Sequence, residues 1–178
     1  PRLLAFVLFV VAAVSDVVDG HLARKHGWIS NFGKLVDPIA DKLLLVVTFV
    51  PFYMLSHGPG PVGGLPYWGR LPLWVVLVIF GREVLITQMR VSAARRGVVV
   101  PAIKAGKHKA VIQNISIGSI ILWYALQSAA LERGWDGSFW AGWQWFHGTV
   151  LALTLAAAVA LTVWSMVVYL WSWRALSH

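Results

Sequence analysis

No cysteine occurs among the 178 residues. Disulfides, zinc–thiolate centres and thiol nucleophiles are therefore excluded, while the compartment stays open. Charge is scarce as well, at 12% of residues against about 25% in an ordinary soluble domain. Acid is scarcest of all: seven Asp and Glu stand against fifteen Lys and Arg, a net charge of +8. The six histidines show no metal-ligand spacing, so His21 and His26 receive no role. No positive n-region with a small-residue cleavage site is readable, nor is any repeat or low-complexity tail. The chain opens on Pro1 rather than methionine, and the expectation is one membrane domain, 1–178, trimmed at its N-terminus.

What is plentiful is apolar: 58% of residues, with a mean hydropathy of +0.71. These residues fall in long blocks, the pattern of an integral membrane protein. A spanning helix needs about 20 mostly apolar residues. The blocks predict an all-α, polytopic bundle of five transmembrane helices at 3–24, 38–55, 71–96, 108–131 and 147–173. Between them charge alternates. Residues 24–34 carry Arg24, Lys25 and Lys34 without an acid, and 90–109 carry six cations without one. Residues 56–70 hold only Arg70, and 132–147 hold Glu132, Arg133 and Asp136. Arg174 lies in the C-terminal tail. The positive-inside rule puts 24–34, 90–109 and the C-terminus in the cytoplasm. That predicts a multi-pass protein of the cell (inner) membrane. The cations sit in short inter-helix loops, which suits anionic lipid or phosphorylated substrates and not nucleic acid. Trp135, Trp140, Trp143 and Trp145 fall in an opposite-side loop and read as an interfacial aromatic belt. "GPGPVGG" lacks the Lys-Ser/Thr of a phosphate loop and reads as a turn.

Four of the seven acids lie between Ser15 and Lys42: Asp16, Asp19, Asp37 and Asp41. Spacings of three and four put each pair on one helix face. Asp16 and Asp19 stand roughly 12 and 8 Å below the helix end at Arg24, at 1.5 Å per residue. Pro38 suits the first turn of the next helix, and the chain reverses through Gly27–Gly33. Two antiparallel helices would then gather four carboxylates near the cytoplasmic face. Each carboxylate inside a bilayer costs about 2.5–3.5 kcal/mol, so four cannot stand unpaired. Divalent cations would neutralise them, and hard oxygen ligands suit Mg²⁺, Mn²⁺ or Ca²⁺. An ion-pair cluster with Arg24, Lys25, Lys34 and Lys42 would also do so, and a proton or cation pathway is a third reading. Gly20 and Ala23 leave space beside the acids, either for close helix packing or for a bulky ligand whose phosphates Arg24 could reach.

The stretch Asp16, Asp19, Gly20, Ala23, Arg24, Gly33, Asp37, Asp41 resembles the signature of the CDP-alcohol phosphatidyltransferase family, D-x2-D-G-x2-A-R-x8-G-x3-D-x3-D, with every position and gap matched. The resemblance implies a membrane enzyme with two divalent metals (Mg²⁺ or Mn²⁺), six transmembrane helices of which the first is missing here, and usually a homodimer. It implies that Asp16, Asp19 and Asp37 hold one metal and Asp16, Asp37 and Asp41 the other. It makes Asp41 the general base and places Asp19, Gly20, Ala23, Arg24 and Gly33 around the nucleotide. Further along, "DPIADK", "GREVLITQMR" at 81–90 and "GKHKAVIQ" at 106–113 resemble phosphatidylglycerophosphate synthases, though Ala110 stands where many relatives have Thr. The expected substrates are CDP-diacylglycerol, among membrane lipids, and glycerol 3-phosphate. The acceptor hydroxyl would attack the lipid-attached phosphorus and CMP would leave.

Arg82 and Glu83 are ionisable residues inside a membrane helix, where they either face a polar cavity or form an ion pair. Arg82, Arg90, Lys107 and Lys109 are candidates for the acceptor phosphate, against the alternative of plain topogenic charge. Two other functions stay open: cardiolipin synthase or another phosphotransferase of the superfamily, and a divalent-cation transporter.

Overall fold

The computed structural model describes residues 2–26, 31–60, 62–95 and 104–176. Five helices make up the fold: α1 Arg2–His26, α2 Asn31–His57, α3 Leu73–Arg95, α4 Lys104–Arg133 and α5 Ser138–Leu176. Among the described residues there is no strand beyond an isolated bridge between Leu65 and Gly69. α4 is the central element. It packs on α1 and on α5, while α3 packs on α5 and α2 on α3.

Side-chain pairs give the directions. Arg2 donates to Ser128, and the ring of Phe9 sits 3.1 Å from where a Cβ on Gly118 would be, so α1 and α4 are antiparallel. Ser119 meets His147 and Trp123 stacks on Trp143, which makes α4 and α5 antiparallel as well. α3 and α5 run the same way: Trp68, just before α3, donates to the Ala152 carbonyl at 3.4 Å, and Arg82 to Ser165 at 3.1 Å.

The apolar patterning explains the packing. Phe49, Leu71, Val75, Ile79, Ile117, Ile120, Leu151 and Leu155 form the fully buried centre. Outward-facing Leu4, Leu8, Val11 and Val14 on α1, and Leu153 and Trp164 on α5, are equally apolar and exposed. Apolar residues on both faces are the mark of helices whose solvent is lipid. Arg2–Gly20, Lys109–Arg133 and Ser138–Trp171 are long and apolar enough to cross a membrane, while the apolar part of α2, Lys42–His57, is shorter. The chain is a polytopic helical membrane protein.

Two helix starts differ from the sequence expectation. α2 starts at Asn31, seven residues before Pro38, so that proline lies inside the helix and not in its first turn. It cannot donate to the carbonyl four residues earlier, a local loss that the rest of a 27-residue helix absorbs. α5 starts at Ser138 instead of 147, so Trp140, Trp143 and Trp145 belong to its first turns and not to a loop. Trp140, Trp143 and His147 share a face at spacings of three and four and stack successively, with ring centroids 4.9 and 4.7 Å apart. α3 ends at Arg95 and α4 begins at Lys104, close to the expected 71–96 and 108–131, so Arg90 and Lys109 stand on helices as those ranges place them, and Lys107 joins them.

The 58–72 connection holds the "GPGPVGG" stretch expected to turn, and a closed turn follows directly after it. Leu65 and Gly69 exchange backbone hydrogen bonds of 2.7 and 2.8 Å, closed by left-handed Tyr67 and Gly69. Trp123 and Tyr124 of α4 donate to the Gly64 and Gly63 carbonyls, which pins this turn to the bundle.

Candidate active site

Asp16, Asp19 and Gly20 lie in the second half of α1, with both carboxylates exposed. Among the described residues neither carboxylate has an ion-pair partner. Ala23 and Arg24 follow in the same helix, and Gly33, Asp37 and Asp41 lie in the first half of α2. The side chains of Ala23, Arg24, Asp37, Asp41 and Lys107 fall outside the described residues, so the four-carboxylate cluster and the nucleotide and base roles stay expectations.

Helix register nonetheless relates the backbones. Seven residues along α1 from Phe9 reach Asp16, and seven back along antiparallel α4 from Gly118 reach Val111. Phe52 of α2 lies against Tyr124 of α4, ring centroids 6.3 Å apart. α2 packs on α3, and at the connection between them Leu71 N–H donates to Ser56 Oγ at 3.0 Å, so the two form an antiparallel hairpin; α4 is antiparallel to α3 through α5, and α2 and α4 therefore run the same way. Eleven residues back from each member of that pair reach Asp41 and Gln113; fifteen back reach Asp37 and Lys109. With 1.5 Å of rise per residue, both aspartate pairs stand at the level of residues 108–113 of α4, to within about a turn.

That level is the polar heart of the bundle. Arg82 Nη1 donates to Glu83 Oε1 at 2.8 Å, and Lys109 Nζ of α4 donates to the same oxygen. Arg82 Nε donates to Ser165 Oγ of α5 at 3.1 Å. A single carboxylate thus ties three helices through two buried cations. Both sequence alternatives for Arg82 and Glu83 were ion pairs or a polar cavity; the pair forms, and it is mutual and interhelical at once. Gln113 and Ser116, one and two turns beyond Lys109 on the same face, are buried, and neither Gln113 Nε2 nor Ser116 Oγ has a partner among the described residues. Nearer the end of α3, exposed Arg90 donates to the Tyr169 hydroxyl from Nε at 3.1 Å and from Nη2 at 2.5 Å. Its guanidinium carbon also stands 5.5 Å from the centre of that ring.

Sequence reasoning named the cations and missed their holders. Ser165 and Tyr169 are one turn apart on α5, and each receives an arginine of α3. The available signal was the run Thr162, Ser165 and Tyr169, three and four residues apart in a mostly apolar stretch, which is weak because most such hydroxyls bond their own backbone, as Ser165 also does to the Thr162 carbonyl.

A family model described as CDP-alcohol phosphatidyltransferase matches residues 1–171. The chain belongs to the CDP-alcohol phosphatidyltransferase family. It is 38% identical over 121 residues to "Probable phosphatidylglycerophosphate synthase" of Mycobacterium tuberculosis, which covers 68% of this chain and 51% of that protein. It is 36% identical over 116 residues to the CDP-diacylglycerol–glycerol-3-phosphate 3-phosphatidyltransferase of Bacillus subtilis, 65% of this chain and 53% of that one. The protein of the same name from Mycoplasma genitalium is 32% identical over 163 residues, 91% of this chain and 60% of its own length. The matches thus span between half and three-fifths of these relatives. In this chain the signature spans the C-terminal half of α1 and the first half of α2, and the Arg82–Glu83–Lys109 triad is the nearest described charge cluster in height.

Proposed function

We propose that this chain is the membrane domain of an enzyme that transfers the phosphatidyl group of CDP-diacylglycerol to the hydroxyl of glycerol 3-phosphate, releasing CMP and phosphatidylglycerophosphate. The observation that carries this reading is the complete eight-residue signature, set by helix register at the level of a cation cluster. The names of the similar proteins support the choice of both substrates.

The donor set suits a divalent metal. Asp16 and Asp19 are exposed and three residues apart, have no ion-pair partner among the described residues, and offer the hard oxygen donors that Mg²⁺ or Mn²⁺ takes. Asp16, Asp19, Asp37 and Asp41 would hold two Mg²⁺ or Mn²⁺ ions. When bound, such ions offset the charge on the diphosphate and on the leaving CMP. The remaining work falls to the chain. Gly20 and Ala23 leave room on the signature face for the cytidine, and Arg24 supplies a guanidinium for its phosphates. Asp41 accepts the proton of the acceptor hydroxyl as that oxygen attacks the lipid-attached phosphorus. Arg90, Lys107 and the triad cations Arg82 and Lys109 supply the positive field for the acceptor phosphate. Gln113 and Ser116 support a polar occupant at this depth, since an unpaired buried polar group costs about 1–3 kcal/mol.

The signature end faces the cytoplasm of the cell membrane in this reading, where a water-borne acceptor and CMP can come and go, and the working form is a homodimer. The deciding assay supplies purified full-length protein with CDP-diacylglycerol and, in parallel, glycerol 3-phosphate, phosphatidylglycerol or inositol phosphate, and follows CMP. Release with glycerol 3-phosphate alone supports the assignment. Release only with phosphatidylglycerol makes the protein a cardiolipin synthase, and no release with any acceptor removes the transferase reading.

A further inference from the structure

Arg82 and Lys109 come from different helices, yet both direct an N–H at one atom, Glu83 Oε1. Arg82 cannot turn freely, because its Nε is committed to Ser165. The two cations are the deeper members of the group: their side chains are 9% and 5% exposed, against 23% for Glu83. Two buried cations at one point repel each other unless an anion lies between them. Arg90 lies seven residues after Glu83, on the same face of α3.

From this we infer that Glu83 is a positioning residue for the acceptor phosphate. It does not touch substrate chemistry; it gathers Arg82 and Lys109 to one point. The inference rests on the proposed acceptor and adds a residue that carries the wrong sign to bind phosphate itself. The competing roles are distinct in sign. A carboxylate that merely occupies the cations would compete with phosphate, and its removal would tighten binding. A helix staple would affect stability alone.

The test uses full-length protein with Glu83→Gln and, as a charge-conserving second variant, Glu83→Asp. KM and kcat are measured for each substrate in turn, and inorganic phosphate binding is measured by calorimetry without turnover. Losing the charge that orders two cations should raise KM for glycerol 3-phosphate about tenfold or more, on the scale of one charged hydrogen bond. KM for CDP-diacylglycerol should stay within about twofold, and Glu83→Asp should recover part of the loss. Phosphate affinity should fall in step with glycerol 3-phosphate affinity. A lowered KM in Glu83→Gln, or a loss of melting temperature with both KM values unchanged, overturns the inference. If Glu83→Gln does not fold, Glu83→Asp decides alone: a KM for glycerol 3-phosphate equal to wild type overturns it. Should wild-type protein fail to turn over glycerol 3-phosphate, the acceptor reading falls first. The phosphate titration then decides separately, and equal phosphate affinity in wild type and Glu83→Gln overturns the inference too.

Discussion

The two ends of this bundle are built on opposite principles. At the tryptophan end, rings fill the space between helices: Trp140, Trp143, His147 and Trp123 stack in sequence, and His147 is held by the Ser119 carbonyl at 3.0 Å. Gly148 lies so close to the 58–72 turn that a Cβ there would meet Pro66 at 2.9 Å. At the signature end, the helices carry carboxylates, shared cations and buried polar atoms that lack a partner among the described residues. One end fixes the arrangement of helices. The other spends that rigidity on groups that would destabilise an isolated bundle. Mutations should therefore separate cleanly, activity being lost at one end and stability at the other.

The largest effect expected is at the signature. Asp41→Asn removes the base and leaves the shape, so turnover should fall by about 10²–10⁴. The variant should extract and elute as wild type does, and CMP release would measure the loss. Full activity would remove Asp41 from the mechanism. Chelator should abolish wild-type turnover on the same assay, and Mg²⁺ or Mn²⁺ should restore it, because all the proposed ligands are carboxylates. Turnover that survives chelation would return the cluster to an ion-pair role.

The next effect lies at the other end. Trp123 is buried, stacks on Trp143 and donates to Gly64 at 3.2 Å. Trp123→Ala should cost about 3–5 kcal/mol of stability, read as a lower unfolding midpoint in detergent. Activity per folded molecule should hold. A variant that keeps its midpoint but loses turnover would show that the two ends are coupled and break the comparison.

How much of this was legible in the sequence follows from how local each feature is. The runs behind α1, α4 and α5 are long and nearly uncharged, and the signature is a fixed spacing within one hairpin, so both are visible in a single line of text. Asn31 as the start of α2 was not, because Pro38 marks helix starts on average and here tertiary packing carries the helix past it. The start of α5 was missed for a related reason. Ser138–His147 is aromatic and polar enough to look like a loop, and it becomes helix by stacking on Trp123, which is distant in sequence. The triad was half visible. Adjacent Arg82 and Glu83 announced an ion pair, but Lys109 lies 26 residues on and Ser165 a further helix away, and spacing does not specify such partners.

The smallest expected effect sharpens the comparison most, because it asks whether the signature end extends to α5. Tyr169 is buried and offers Arg90 both a hydroxyl and a ring face. Tyr169→Phe deletes the oxygen and keeps the ring, so packing and the cation–ring contact survive. Arg90 should then sample more orientations while α3 and α5 stay together. The hydroxyl accepts two N–H groups of Arg90, and because water reaches the exposed guanidinium in its place, the loss is worth about 1 kcal/mol, or roughly fivefold in affinity. KM for glycerol 3-phosphate should rise by about that factor, kcat and KM for CDP-diacylglycerol should stay within about twofold, and the unfolding midpoint should barely move. Arg90→Ala should exceed it in the same direction. If Arg90→Ala raises KM for glycerol 3-phosphate and Tyr169→Phe does not, Arg90 acts from a pose that α5 does not set. If neither variant changes that KM, Arg90 lies outside the acceptor site, and the polar end of the bundle stops at the triad.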